Sequence, residues 1–536
     1  MSLDATELDV SEVVAQVAKV QPLWALLRLE DRARYMRRMA QAIVDELDEL
    51  REAIAAEQSR PRTEVATLEL LVAIDALEWV AHDGARVLGG RRVGVHRSLS
   101  LTKRARIAYE PYGVVGVIGA GSAPFAQPLG QIAGALLAGN GVVFKPAERA
   151  SIAAERIARV LARAGLPEGL VRVLEGGADV GLELARAPVR KLLFTGSPAT
   201  GRAVARECVS QEKEVTVELG GKDAMLVLAD AHVARAAAGA LWAGCAGAGQ
   251  ARGAVERIYA APEVAERLVA RLVAGARAMT VGDPSDPRVQ IGALASERRL
   301  AHVCELVEEA VAQGATLHCG GPVRPADLVG LASADATERS GEETADGQDA
   351  RAGRRSAVLG SGAFYAPAVL SGVTHEMRLM REPIGGPVLA VMSVGSVSEA
   401  IALANDSPYG LGASVWTADR YRGMRIAREL DAGMVWLNDH LPSPAISRGP
   451  WGAGAGSGLG RTLGEAGLRA CAQEKLITWD PPGVRGLWWG PYDELSASAA
   501  RAAAKLRSRR ESDREQAWRQ SGVALARVGL RALGRR

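Results

Sequence analysis

The sequence predicts an α/β fold: a doubly wound parallel sheet joined to a second α/β domain. From Ile107 onwards, short apolar segments alternate with amphipathic helical ones, as in "YGVVGVIG", "PLGQIAGALLAG", "NGVVFKPAE" and "IAAERIARVLARAG". Strands that are apolar on both faces and alternate with helices are typical of a parallel sheet covered on both sides. A second α/β series begins at "KDAMLVLADA". An open sheet of this type binds its ligand beyond the carboxyl ends of its strands.

Length and local pattern predict how the chain is organised around these sheets. A chain of 536 residues is too long for a single core, so two or three domains are expected. Residues 8 to about 90 have apolar positions at three- and four-residue spacing, which is typical of helices. Residues 325–362 are short of large apolar side chains and rich in Ala, Gly, Ser and charge, so we expect an exposed insertion there.

Composition excludes several classes of protein. The apolar runs are interrupted by Gly, Arg or Pro, and none is long enough for a membrane span. The acidic N-terminal segment lacks the basic region and apolar block of a secretory signal, so we expect a cytoplasmic protein. The five cysteines lie far apart without CxxC or Cys/His spacing, and neither a disulfide framework nor a metal site is predicted.

The net charge of +3 is unevenly distributed, because residues 501–536 hold eleven basic and three acidic residues. The first 500 residues therefore carry a net charge of −5. The basic tail, residues 481–536, has a composition that favours helix. Trp488 and Trp489 could pack on the protein or contact a membrane interface. Anionic lipid or nucleic acid could bind the tail, but a solvated helix or disordered end explains it equally well, and no specific nucleic-acid binding is predicted.

Four segments carry a family resemblance: "VVFKPAE", "FTGSPATG", "VELGGK" and "GQARGAVERIYA" occur in this order and at these separations. Together they resemble the aldehyde dehydrogenase superfamily, and the resemblance extends from about Trp24 to Asp480. It implies an NAD-binding domain at 1–92 and 112–219, a catalytic-type domain at 220–455, and oligomerisation strands at 93–111 and 470–480. Because a small flap with exposed strand edges is unstable alone, we expect a homo-oligomer, at least a dimer.

The resemblance also implies which residues bind the cofactor. Lys145 and Glu148 match positions that hold the adenosine ribose, and a carboxylate there favours NAD over NADP because it repels a 2′-phosphate. An exposed ion pair at a strand end is the structural alternative. Small residues in turns let a pyrophosphate approach backbone N–H groups. The remaining predicted cofactor-binding residues are Gly177, Gly181, Gly196, Ser197 and Leu219.

The catalytic positions depart from the family pattern. Glu218 matches the general base, although a glutamate buried and paired for structural reasons is the alternative. Arg252 stands where the family has its catalytic cysteine, and Ser122 stands where an asparagine helps to stabilise the oxyanion. Pro383 and Gly385 occupy the positions of an acidic and an aromatic residue beside the nicotinamide. The nucleophile, the oxyanion donor and the nicotinamide contacts have therefore all changed.

A guanidinium cannot form the covalent adduct from which hydride leaves. Cys245 would lie roughly 10 Å from position 252 if the intervening residues were helical, so we interpret it as a buried structural thiol. The resemblance places positions 218 and 252 on facing walls of one cavity, where a buried charge is costly without a partner. We therefore expect Arg252 to form an ion pair with Glu218. In a variant of this hypothesis, Arg252 binds an anionic ligand such as a carboxylate.

Three functions remain open on the sequence alone. The first is a superfamily member that has lost standard catalysis and retains nucleotide binding or an assembly role. The second is an active NAD-dependent oxidoreductase that converts an aldehyde to a carboxylic acid by altered chemistry. The third is a structural partner of an active homologue, with the tail providing the contact. Fold alone does not decide among them.

Overall fold

A computed structural model describes residues 9–96, 102–324, 327–329, 363–441, 446–452, 454, 456–490 and 492–532. The chain forms two compact units. The larger comprises Met1–Ala85 and Pro111–Ala472, and the smaller comprises Arg86–Glu110 and Gln473–Arg536. Most of the predicted insertion, residues 325–326 and 330–362, lies outside the described residues. Within 327–329, Leu328 is buried, contrary to the exposure expected there.

The strands follow the apolar segments of the sequence. In chain order they are β1 Arg91–Val93, β2 Arg104–Pro111, β3 Val114–Ile118, β4 Gly141–Lys145, β5 Val171–Val173, β6 Lys191–Gly196, β7 Glu214–Leu219, β8 Asp223–Val227, β9 Val255–Ala260, β10 Thr316–Pro322, β11 Tyr365–Ser371, β12 Val388–Ser393, β13 Gly412–Trp416, β14 Met434–Leu437, β15 Gly458–Leu459 and β16 Ala472–Trp479.

Two parallel-stranded sheets form the larger unit. The six-stranded sheet has the order β15-β7-β6-β3-β4-β5, in which β15 pairs antiparallel with β7 and the other pairs are parallel. The seven-stranded sheet has the order β10-β11-β12-β9-β8-β13-β14, with β10 antiparallel at its edge. Every residue of β3, β4, β8 and β9 is buried, as expected of strands covered on both faces. The predicted α/β fold with parallel sheets is confirmed.

Helices precede and alternate with these strands, and two more follow in the tail. Their bounds are α1 Val10–Ala25, α2 Leu29–Asp45, α3 Leu47–Gln58, α4 Arg62–Val65, α5 Leu71–Leu88, α6 Ala126–Leu137, α7 Ser151–Arg163, α8 Ala178–Arg186, α9 Pro198–Ser210, α10 Val233–Cys245, α11 Pro262–Ala278, α12 Glu297–Ala312, α13 Arg378–Arg381, α14 Val397–Asn405, α15 Arg420–Glu429, α16 Gly464–Arg469, α17 Glu494–Lys505 and α18 Glu511–Ala532.

A buried carboxylate links the N-terminal helices to α6. Glu69, in the π-helical turn Ala66–Leu70, is fully buried and pairs with Arg60 Nη1 at 2.9 Å. Its other oxygen accepts the backbone N–H groups of Phe125 and Ala126, at 3.2 and 2.8 Å. These N–H groups lie at the start of α6, where helix geometry gives them no partner within the helix. A negative charge is favourable at this end of a helix. Glu69 therefore holds one end of α6 in place.

The smaller unit consists of a three-stranded sheet, in the order β1-β2-β16, and two helices of the basic tail. Residues 97–101 of the predicted strand region lie outside the described part of the chain. Helices α17 and α18 form a hairpin with a small core around Ala499, Ala524 and Val528. Trp488 packs against this core, whereas Trp489 is 72% exposed. The tail is therefore helical, and its two tryptophans differ in environment.

Among the described residues, none of the helices has both the length and the apolar character that crossing a bilayer requires.

Replacing Glu69 with alanine leaves Arg60 buried beside one remaining partner, Glu64, and removes the acceptor at the start of α6. We expect the Glu69→Ala variant to lose about 3–5 kcal/mol of unfolding free energy, because removing one member of a buried pair strands the other. Urea denaturation measures this. As a control, Glu52→Ala breaks a half-exposed pair with Arg62 and should cost less than about 1 kcal/mol. Equal losses in the two variants would contradict this role for Glu69.

Candidate functional site

A cavity of about 490 Å³ lies in the larger unit. Its lining includes three of the residues singled out from the sequence: Ser122, Glu218 and Arg252. Ser122 follows β3 and Glu218 lies near the end of β7, so both stand at the carboxyl edge of the six-stranded sheet. Arg252 comes from the loop between α10 and β9 of the other sheet. The structure therefore brings these three predicted positions together.

The loop that carries Arg252 has an unusual backbone, which its glycines permit. Gly247, Ala248 and Gly249 have φ angles of 59°, 55° and 75°. A Cβ atom at Gly249 would lie 2.1 Å from the carbonyl carbon of Gly386, so any larger residue is excluded there. This close approach fixes the path of the chain just before Arg252.

Arg252 forms an ion pair with Glu218, as expected from the sequence. Its Nη1 donates to Glu218 Oε2, and its Nε donates to the carbonyl oxygen of Leu219 at 2.9 Å. The guanidinium also lies over the ring of Trp451, 5.4 Å from the ring centroid, which adds a cation–π contact. The expected ion pair is confirmed.

Both oxygens of Glu218 are engaged. Oε2 accepts from Arg252 and Oε1 accepts the hydroxyl of Thr462. Burial raises the pKa of Glu218, and the positive charges of Arg252 and Arg461 oppose that rise. A carboxylate held by two donors is a poor general base, because it must give up those hydrogen bonds to accept a proton.

The thiols near this region are not activated. Cys245 is buried in the core, and burial raises its pKa to about 12, so the interpretation as a structural thiol is confirmed. Cys471 lines the cavity, but its Sγ donates to the carbonyl oxygen of Gly467 at 3.5 Å and burial raises its pKa to about 11. A reactive cysteine requires a lowered pKa. Neither thiol meets that requirement.

The segment 383–386 is held by a carboxylate that sequence reasoning missed. Glu256 accepts the backbone N–H groups of Ile384 and Gly385, at 3.0 and 3.4 Å, and pairs with Lys222 Nζ at 3.1 Å. Burial lowers the pKa of Lys222 to about 8. The sequence offered a signal, since Glu256 is a charged residue inside the buried strand β9. Glu256 therefore positions the backbone of Ile384 and Gly385.

The residues predicted to bind the adenosine half of NAD lie around the end of β4 and the start of α8. A Cβ atom at Gly177 would lie 3.2 Å from Glu148 Oε1, and one at Gly181 would lie 3.7 Å from Lys145 Cδ. Lys145 is buried, and its Nζ donates to the carbonyl oxygen of Pro146 at 2.9 Å. Burial lowers the pKa of Lys145, and the nearby carboxylates of Glu148 and Asp179 oppose that shift. Four predicted residues are therefore neighbours at one sheet edge.

The other predicted cofactor residues lie farther along the same edge. Gly196 ends β6 opposite Leu219 of β7. Ser197 caps α9, where its hydroxyl accepts the N–H of Thr200 at 3.3 Å. The backbone of Leu219 is already engaged, because its carbonyl oxygen accepts Arg252 and its N–H donates to Ser457.

These two largely parallel sheets, with a cavity lined by residues at strand ends, define an α/β protein. The family profile "Aldehyde dehydrogenase family" matches residues 2–334 and 332–477. The chain belongs to this family.

Several known proteins are similar to this chain. The betaine aldehyde dehydrogenase of Cereibacter sphaeroides is 33% identical over 475 residues, covering 88% of this chain and 90% of the relative. The 4,4'-diapolycopene aldehyde oxidase of a Methylomonas species is 34% identical, covering 83% of this chain and 77% of the relative. A solved putative aldehyde dehydrogenase from Burkholderia cenocepacia is 28% identical with a TM-score of 0.79, covering 90% of this chain and 91% of that one.

A cofactor complex is also among the similar structures. The NAD+ complex of an aldehyde dehydrogenase from Bacillus cereus is 27% identical with a TM-score of 0.77, covering 88% of this chain and 89% of that one. NAD binding therefore occurs in this family.

A buried histidine supports the loop that follows Arg252. His440 Nε2 donates to the carbonyl oxygen of Gly253 at 3.0 Å, and its Nδ1 accepts the hydroxyl of Ser414 at 2.7 Å. Burial lowers the pKa of His440 from 6.5 to about 3. The ring is therefore neutral near pH 7.

This histidine predicts a loss of stability in acid. Between pH 6.5 and about 3 the unfolded chain binds a proton on His440 that the folded chain does not, so the unfolding free energy falls as the pH falls. In a His440→Gln variant that contribution is absent. Urea denaturation across this pH range should give a shallower acid-side decline for the variant than for the wild type. Parallel declines would contradict the neutral, buried state of His440.

Proposed function

We propose that this protein has lost thiol-dependent aldehyde oxidation and retains nucleotide binding. The observation that carries the proposal is the buried ion pair between Arg252 and Glu218. Arg252 stands at the nucleophile position of the family pattern and engages the residue at the general-base position. Arginine at position 252 therefore removes the nucleophile and also engages the general base in an ion pair.

The chemistry of the reaction explains the consequence. In the thiol route, a thiolate bonds to the carbonyl carbon, and the resulting tetrahedral carbon releases hydride to the nicotinamide. The guanidinium of Arg252 has no free lone pair for that bond. The hydroxyl of Ser122 is also shorter than the side-chain amide that the resemblance implies, and loss of one oxyanion donor typically slows such reactions by about a hundredfold or more.

The residues at the sheet edge fit the adenosine half of NAD better than the nicotinamide half. Gly177 leaves space beside Glu148, whose carboxylate would accept hydrogen bonds from ribose hydroxyls. At the other end, Pro383 and Gly385 carry no side chain able to bind a ribose. NAD bound there would accept a hydride, but Arg252 cannot form the covalent adduct from which hydride leaves.

A second candidate is an active NAD-dependent aldehyde oxidoreductase. It is favoured by the names of the relatives, which are an aldehyde dehydrogenase and an aldehyde oxidase, and by the Cys471 thiol in the cavity lining. Its substrate would be a small aldehyde. It requires a nucleophile that works without a lowered thiol pKa.

Assembly into a homo-oligomer, and residence in the cytoplasm, are part of the proposal. Leu476, Ile477 and Trp479 of β16 have exposed side chains, and an exposed apolar strand is suited to pairing with another copy. This feature also supports the view of a structural partner for an active homologue.

An assay of NADH production from a panel of aldehydes separates the two candidates. We expect no turnover by the wild-type protein, because no activated thiol faces the substrate. The Arg252→Cys, Ser122→Asn double variant should produce NADH, and Arg252→Cys alone should be about a hundredfold slower than the double variant. Turnover by the wild-type protein would reject loss of catalysis and favour the second candidate.

Isothermal titration calorimetry with NAD tests the retained nucleotide binding. Glu148→Ala removes a charged acceptor for the ribose and should weaken NAD binding about tenfold to a hundredfold. Glu155→Ala, on an exposed position of α7, is the matched control and should leave the affinity unchanged. If the wild-type protein binds no NAD, the nucleotide part of the proposal is wrong and the structural-partner function gains support.

A further inference from the structure

The helical hairpin of the tail lies outside the part of the chain that matches the family. The family profile ends at residue 477, whereas α17 and α18 comprise Glu494–Lys505 and Glu511–Ala532. A small core around Ala499 and Ala524 holds the two helices together. The family match therefore does not account for this hairpin, and its surface has to be explained by its own residues.

One side of α18 is turned to solvent and combines arginine with apolar residues. Arg519, Val523, Arg527 and Leu530 recur at spacings of three and four residues, so they lie on one face of the helix. All four side chains are exposed, that of Val523 by 69%. Ala524 instead packs in the core of the hairpin. These four residues form what we call the outward face of α18.

The outward face lies in a part of α18 that is purely basic. The three acidic residues of this helix all lie within its first five positions, and the rest of the helix contains three arginines and no Asp or Glu. Among the described residues, Arg519 and Arg527 form no ion pair, whereas Arg531 pairs with Asp493 at 2.8 Å. The charge of the outward face is therefore complementary to that of an anionic surface.

Two exposed tryptophans belong to the same hairpin and its entry segment. Trp518 is 65% exposed, and its ring lies along α18, since a Cβ atom at Gly522 would lie 3.3 Å from Trp518 Cε3. Trp489 is also exposed, in a segment attached to the end of α18 by a hydrogen bond of 2.9 Å from Arg485 N–H to the carbonyl oxygen of Ala532. Exposed indoles beside cations are typical of helices that lie at the headgroup level of a bilayer.

We propose that the outward face of α18 binds the surface of a membrane that contains anionic lipid. The guanidinium groups of Arg519 and Arg527 would contact lipid phosphates, while Val523 and Leu530 would enter the apolar region beneath the headgroups. These two apolar side chains favour lipid over nucleic acid, because a nucleic-acid phosphate backbone attracts arginine but gives an aliphatic side chain no apolar contact. The inference is independent of whether the cavity site turns over an aldehyde.

Co-sedimentation of the full-length protein with lipid vesicles tests the inference. We expect binding to vesicles of equal parts phosphatidylcholine and phosphatidylglycerol to be about tenfold tighter, or more, than binding to phosphatidylcholine alone. Added salt should weaken binding to the mixed vesicles, because ions screen exposed charges. Equal binding to the two kinds of vesicle, or no binding to either, would overturn the inference.

A charge variant tests whether the outward face is the contact. Arg519→Gln, Arg527→Gln should weaken binding to the mixed vesicles about tenfold to thirtyfold, because each arginine near an anionic surface contributes to the attraction. The control Arg425→Gln, Arg428→Gln removes the same charge from exposed positions of α15 and should bind like the wild type. Equal losses in the two variants would show that net charge, and not this face, determines binding.

An apolar variant keeps both arginines of the face. Val523→Gln, Leu530→Gln should weaken binding to the mixed vesicles about tenfold, because the glutamines would remain hydrated at the bilayer surface. Both substituted side chains are exposed, and circular dichroism checks that the variant keeps the helix content of the wild type. Unchanged vesicle binding in this variant would exclude insertion of the outward face into the lipid.

Nucleic acid and a second copy of the chain are the competing occupants of this face. Binding of a labelled single-stranded oligonucleotide that depends on Arg519 and Arg527, without binding to vesicles, would assign the face to nucleic acid. Analytical ultracentrifugation should give the same oligomeric state for the wild type and the Arg519→Gln, Arg527→Gln variant. A smaller assembly in that variant would assign the face to contact between copies and overturn the inference.

Discussion

The buried ion pair between Arg252 and Glu218 is the constraint on which the rest of the site depends. A charge taken out of water needs a partner nearby, and each of these two residues supplies that partner for the other. The pair joins a loop that precedes β9 of one sheet to β7 of the other, and Thr462 attaches a third segment to the same carboxylate. Under the proposed function, this ion pair occupies the positions of the nucleophile and the general base.

The residues predicted for the two halves of NAD match the family resemblance to different degrees. Around Lys145, Glu148 and Gly177 the chain keeps the residues that the family resemblance implies for the adenosine side. Around 383–386 it does not, and the backbone there is held by Glu256, which is itself neutralised by Lys222. The ion pair with Lys222 and the two backbone hydrogen bonds of Glu256 stabilise this segment.

Sequence reasoning predicted the parallel sheets because strands such as β3 and β4 are apolar on both faces and alternate with helices. It predicted the pairing of Arg252 with Glu218 because the family resemblance places the two positions on facing walls of one cavity, where a buried charge needs a partner. It missed Thr462 and Trp451, since chain order does not reveal which distant segments meet at a cavity. It also missed Glu256, although this charged residue lies inside the buried strand β9. The helical tail was foreseen from its composition, but its hairpin was not, because the small core around Ala499 involves residues that look featureless in sequence.

Glu69 has a consequence for the dynamics of the cavity wall. It accepts the N–H groups of Phe125 and Ala126 at the start of α6, the helix that also contributes Gln127 and Gln131 to the lining. Local fraying of that helix end would expose a buried carboxylate together with its arginine partner, so such openings are rare compared with those of an ordinary helix end. We therefore expect amide protons at this helix end to exchange with solvent mainly through cooperative opening of a larger region.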